Sequence, residues 1–223
     1  MALSIPFLPP VNKPGQAADM PVVLWDDFVC TSVSNTADEG NWLETSAGIA
    51  VPLAEVNGIM SLTSDTTTEK GIYTNGAPFQ LTAGSKLQFT CRISNEDVDA
   101  TKWLVGLVTA NDTAPAGGVV SHVGFRDIVG TGGAINAVSE ASSTETTTAC
   151  SQTFASDGDY RVLSFEYDGN GNIRYFVDGA KVATHTTNIP TGVALDVAFT
   201  VLGVGGANEV MNVDYVLVVG DRQ

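Results

Sequence analysis

The chain has 223 residues, and its 10 Lys and Arg against 25 Asp and Glu leave a net charge of −15. Affinity for a phosphate backbone or an anionic lipid surface rests on a basic footprint, so this balance excludes nucleic acid and membrane as partners. Hydrophobic residues make up 43% and charged ones only 16%, the mark of a folding chain, and no apolar run reaches the ~18 residues of a membrane helix.

Pro6, Pro9, Pro10, Pro14 and Pro21 crowd the start of the chain. Proline fixes φ and lacks a backbone donor, so residues 1–21 read as an extended arm rather than a helix or a central strand. The arm carries apolar side chains at Ile5, Phe7 and Leu8. Its segment Ile5, Pro6, Phe7, Leu8, Pro9 and Pro10 is the expected contact with a neighbouring subunit. A basic n-region is missing, so the segment reads poorly as a secretory signal.

From residue 22 to 223 the sequence predicts one β-sandwich domain. Leu87, Phe89, Cys91 and Ile93 alternate with Gln88, Thr90 and Arg92, the pattern of a strand with one buried face. Trp103 to Val108 is apolar on both faces, as a central strand between two covered surfaces is. Ser139–Thr148, rich in Ser and Thr, reads as a flexible loop or an exposed edge. Leu163, Phe165 and Tyr167 form a strand that enters the turn Asp168-Gly169-Asn170-Gly171-Asn172, whose residues tolerate positive φ. Ile173–Val177 returns as the partner strand, Asp178-Gly179 turns again, and Lys181–Thr187 completes a meander. Val193–Leu202 and Val210–Val219 are long valine-rich strands. Turn signals every 8–12 residues in between mean a sandwich or a barrel. Cys30, Cys91 and Cys150 are an odd number without CxxC spacing and read as small buried hydrophobes in a reducing compartment.

The order Trp25-Asp26-Asp27-Phe28, Asn57–Leu62, Gly71-Ile72-Tyr73, Lys86–Ile93, Trp103–Leu107, Gly124-Phe125, Tyr160–Asp168, Arg174–Gly179 and Val213–Val216 resembles the concanavalin A-like, laminin-G-like jelly roll. The resemblance covers about residues 22–222 and includes a hairpin whose second strand ends in Val177-Asp178-Gly179. It implies an all-β, two-sheet antiparallel sandwich. Within that superfamily the chain looks most like stand-alone domains of tailed-bacteriophage structural proteins.

Glycosidase relatives of the fold need two carboxylates about 5–5.5 Å apart. On one strand this requires alternating acidic residues, and no such run is present. Glu96-Asp97-Val98-Asp99 reads as a solvated loop, and Glu166 with Asp168 as an outward-facing pair. Asp168-x-Asn170-x-Asn172 has the opening of a calcium loop but Ile173 and Gly179 at positions that need Gly and Glu, so it reads as a turn. Asp26-Asp27 reads as an ordinary acidic surface pair. His122 and His185 lack zinc spacing and read as structural or exposed. Trp25, Trp42 and Trp103 sit in strand-like positions that predict core packing. No catalytic residue, cofactor or metal ligand is predicted.

These readings predict a non-enzymatic virion structural protein, a capsid decoration or cement protein of a tailed phage. Its expected partners are the major capsid protein and copies of itself, for instance as a trimer. Its expected place is the capsid exterior after synthesis in the host cytoplasm, where an acidic surface stays clear of packaged DNA. The alternative is a carbohydrate-binding, lectin-like adhesion module on a phage fibre or cell surface, with a glycan as partner.

Overall fold

Side chains two apart share a face of a strand, so the alternation read from the sequence places one set of residues between two sheets. The computed structural model describes residues 22–28, 33–34, 42–45, 50–53, 58–64, 69–76, 79–109, 120–130, 133–204 and 208–221. These residues form strands and no helix. In chain order the strands are β1 (Val22–Asp26), β2 (Val33–Ser34), β3 (Trp42–Glu44), β4 (Ala50–Leu53), β5 (Ile59–Thr63), β6 (Lys70–Thr74), β7 (Leu87–Asn95) and β8 (Thr101–Val108). They continue as β9 (His122–Asp127), β10 (Ala134–Ala141), β11 (Thr144–Thr153), β12 (Arg161–Tyr167), β13 (Ile173–Val177), β14 (Ala180–His185), β15 (Asp196–Gly203) and β16 (Val210–Gly220). The proposed arm contacts Ile5, Pro6, Phe7, Leu8, Pro9 and Pro10 lie outside the described residues, as does Cys30.

Two eight-stranded sheets pack face to face, as expected for the jelly roll. The first runs β14-β13-β12-β7-β16-β5-β4, with β1 also paired to β16; the second runs β11-β10-β9-β8-β15-β6-β3-β2. Every pairing is antiparallel except the short β2–β3 contact. Strand β16 is the spine of the first sheet. One edge pairs with β7 from Met211 to Gly220; the other pairs with β5 at Val210–Val213 and with β1 at Val216–Gly220.

The expected alternation holds where the sequence showed it most clearly. Leu87, Phe89, Cys91 and Ile93 are buried, and Gln88, Thr90 and Arg92 turn outward. Strand β8 is buried on both faces. Trp103, Val105 and Leu107 enter the main core, while Leu104 and Val108 pack with Ala198 and Tyr73 on the other side. Between the sheets Phe89 stacks on Phe165 at 5.0 Å, and Phe125 meets Tyr175 edge-on at 5.5 Å. Tyr175 keeps its hydroxyl satisfied by donating to the Val138 carbonyl at 2.8 Å, a bond from one sheet to the other. The predicted meander is β12-β13-β14, and its first turn is held by Asp168, whose Oδ1 accepts from the backbone of Asn170 and Asn172. That pattern is the Asx turn, in place of a calcium loop.

Three expectations need correction or refinement. Ser139–Thr148 is a hairpin that joins β10 to β11 through Ser142 and Ser143, both at positive φ, and β11 is the outer edge of its sheet. Trp42 and Trp103 are core residues, but Trp25 is 56% exposed. Leu24 turns towards the core from β1, so period two sends Val23 and Trp25 outward. The Asp26 carboxylate is a structural acceptor, taking the Trp42 indole N–H at 2.7 Å and the Phe28 amide at 2.8 Å.

Candidate functional site

Two constellations stand on the outer faces of the sandwich, one on each sheet. On the first sheet β1, β16 and β7 lie side by side, and the residue before β12 closes the row. Trp25 from β1 stacks on Tyr215 from β16, with ring centroids 5.7 Å apart and planes 24° from parallel. Tyr215 is in register with Arg92 of β7. The Arg92 guanidinium lies over the Tyr160 ring, 4.1 Å from its centroid, and pairs with Asp214. A register shift between Val213 and Tyr215 lets Asp214 and its neighbour Tyr215 both flank Arg92. The result is a stripe of four flat groups, Trp25, Tyr215, Arg92 and Tyr160, crossing four strand positions. At about 4.8 Å per strand it spans roughly 14 Å. Burial pushes the Tyr215 phenol up from its ordinary range, so it stays a neutral donor.

On the second sheet a row of charged groups crosses β9, β10 and β11. Register sets His122 opposite Glu140 and Glu140 opposite Glu145. His122 Nδ1 lies 3.1 Å from Glu140 Oε2, and its Nε2 lies 3.3 Å from Glu145 Oε2. Both approaches fall outside hydrogen-bond geometry, and the ring is 1% exposed. Arg126, four residues on from His122, pairs with the same Glu145 carboxylate, whose other oxygen accepts from the Thr147 hydroxyl. Gly124 lies between His122 and Arg126 on β9 and offers no side chain, so Arg126 can run along the strand to reach Glu145.

The two carboxyls of this row are driven in opposite directions. Burial holds the Glu140 carboxyl above its usual range, against the lowering effect of His122. Burial acts to raise Glu145 as well, but the close imidazole, the Thr147 hydroxyl and the Arg126 charge outweigh it and bring this group down to about 2.

The pairs singled out in the sequence serve other ends. Glu166 points outward beside Arg174 at 3.2 Å, and Asp168 orders its turn. Asp97 accepts from the Asp99 amide, and Asp157 from the Val98 amide, so these loop carboxylates organise backbone. His185 is buried between the Ser139 hydroxyl at 2.9 Å and the Thr148 hydroxyl at 3.0 Å, as a structural histidine. Sequence reasoning missed Glu140 and Glu145 because it searched for acidic residues along one strand. Here they come from adjacent strands, and the signal is Glu140 and Glu145 flanking a tight turn.

Residues 55–214 match the family described as SO2946-like, C-terminal domain, which is more than half of the sequence. The chain belongs to that family. No curated protein matches it. Among solved structures it is similar to an endo-1,3-β-glucanase from Streptomyces sioyaensis, 20% identical with a TM-score of 0.60 over 94% of this chain and 99% of that one. It is also similar to the protein SO2946 from Shewanella oneidensis MR-1, 14% identical with a TM-score of 0.60 over 96% and 97%. A third similar structure is the carbohydrate recognition domain of Emp47p, 9% identical with a TM-score of 0.56 over 86% and 92%. These likenesses agree with the all-β, two-sheet jelly-roll sandwich. They also correct the expectation of a non-enzymatic chain, because an endo-glucanase carries the same sandwich over nearly its whole length. None of these three supports the capsid-decoration reading.

Proposed function

We propose that this domain binds carbohydrate along the stripe Trp25, Tyr215, Arg92 and Tyr160. The observation that carries the reading is the exposed Trp25 ring stacked on Tyr215 and continued by a guanidinium plane. The half-exposed Trp25 ring suits the C–H face of a sugar ring and exposes little conformational freedom that binding must remove. Arg92 and Asp214 supply charged donors and acceptors for hydroxyl groups at the same place. A length of roughly 14 Å suits a short run of linked sugars rather than a single one. With a net charge of −15 the protein repels polyanionic glycans, so a neutral polysaccharide fits best. Two similar structures, an endo-1,3-β-glucanase and a carbohydrate recognition domain, are named for the same ligand class.

Affinity electrophoresis and titration calorimetry against laminarin, a neutral β-1,3-glucan, test the proposal, with heparin as the polyanionic control. Trp25→Ala is expected to weaken laminarin binding at least tenfold, equivalent to about 1.4 kcal/mol, without lowering thermal stability, because the ring is mostly solvent-facing. Equal retardation of the wild type and Trp25→Ala by laminarin would overturn the stripe as the binding site.

A further inference from the structure

We propose that His122, Glu140 and Glu145 form a divalent-metal site on the second sheet, with zinc as the ion that fits it. One ligand atom from each of the three lies within 4.8 Å of the other two. An acidic pair alone would carry little weight, but the imidazole between them is a second observation. His122 is buried, and neither of its ring nitrogens has a hydrogen-bond partner. Each nitrogen instead faces a carboxylate oxygen, at 3.1 and 3.3 Å, without hydrogen-bond geometry, and a metal bond to one of them would satisfy it. The 3.3 Å from His122 Nε2 to Glu145 Oε2 is the edge expected of a tetrahedron with bonds of about 2.0–2.1 Å. Glu140 Oε2 stands at the other ring nitrogen, 3.1 Å from Nδ1, and one of its oxygens falls within the same 4.8 Å cluster.

The donor set is one nitrogen and two carboxylate oxygens, a combination that suits zinc better than magnesium or calcium. Three protein ligands leave a fourth position for water or for an oxygen of a bound molecule. Thr147 and Arg126 grip Glu145 from either side and fix its orientation, the part that outer groups play around a metal ligand. Adjacent strands carry the three ligands, so the site is set by sheet register rather than by loop conformation.

The competing arrangement has no metal, with His122 held directly between the two carboxylates and Arg126 paired to Glu145. Calorimetry and thermal scanning of the chelator-treated, tag-free full chain distinguish the two. Zinc chloride is expected to bind one ion per chain and to raise the melting temperature by several degrees, while magnesium chloride does neither. His122→Gln and Glu140→Gln are each expected to weaken zinc uptake at least tenfold, and Glu166→Gln on the opposite sheet to leave it unchanged. X-ray absorption on the zinc-loaded wild type stands in if a variant does not fold, with an expected shell of one imidazole nitrogen and otherwise oxygens. Absence of binding at millimolar zinc, full uptake by either Gln variant of the cluster, or sulfur in the shell would each overturn the proposal.

Discussion

Strand β9 carries His122 and Arg126, and its distance from β8 is set by a pair of glycines facing each other, Gly106 and Gly124. A Cβ placed on Gly124 would lie 2.1 Å from the Val105 carbonyl oxygen and 2.8 Å from the Gly106 Cα. To restore an ordinary carbon–oxygen contact near 3.4 Å, the backbones must separate by about 1.3 Å locally. That stretches neighbouring N–H···O bonds from about 2.9 Å to beyond 4 Å, where they no longer count. Two ladder bonds at about 0.5–1.5 kcal/mol each, with about 1–3 kcal/mol for forcing a group into a packed site, give a loss of about 2–6 kcal/mol for Gly124→Ala. Gly220→Ala is the matched control, because its added Cβ meets nothing closer than 3.5 Å. Urea unfolding followed by fluorescence reads both variants, with the slope compared to confirm that the denatured state is unchanged. A loss below about 0.5 kcal/mol in Gly124→Ala would show that the strands yield freely and that the glycine pair does not set their approach.

Other expectations follow from the interior. Tyr175→Phe removes one of the hydrogen bonds that join the two sheets and is expected to cost about 0.5–1.5 kcal/mol, read as a fall of a few degrees in melting temperature. Burial, opposed by the Glu145 charge, holds the His185 imidazole below its ordinary pKa of 6.5. A depressed imidazole contributes stability that is present above pH 6.5 and lost as the pH falls below it, because the unfolded chain then binds the extra proton. The fall in unfolding free energy between pH 6.5 and pH 5 is therefore expected to be shallower in His185→Gln than in the wild type, and equal slopes would refute it.

Much of the sandwich was legible because period two is a local signal. Leu87 to Ile93 and Leu163 to Tyr167 declare their buried faces within seven residues, and the Asp168–Asn172 turn declares the hairpin between β12 and β13. Trp25 was misread because Val22-Val23-Leu24-Trp25 is apolar throughout, so nothing in the run says which alternate residues face out. The charged row was invisible for a different reason. His122 lies 18 residues before Glu140, and only the β9–β10–β11 register sets them side by side. The hairpin turn at Ser142-Ser143 brings Glu140 opposite Glu145, but without the Asn-Gly or Asp-Gly chemistry that marks tight turns. Local sequence thus reports strand faces, whereas chemistry built across strands depends on register that long-range pairing decides.

The position of β16 has a consequence for how the chain reaches this state. As a chain leaves the ribosome, β1, β4, β5 and β7 all emerge before residues 210–220, the strand to which β1, β5 and β7 each pair. Until then β5 and β1 lack their shared neighbour, and β7 has only β12 beside it. The first sheet therefore closes late, by contacts between residues nearly two hundred positions apart, which is the slow kind of folding. Unpaired edges and apolar faces stay open through most of synthesis, the window in which strands from other chains compete.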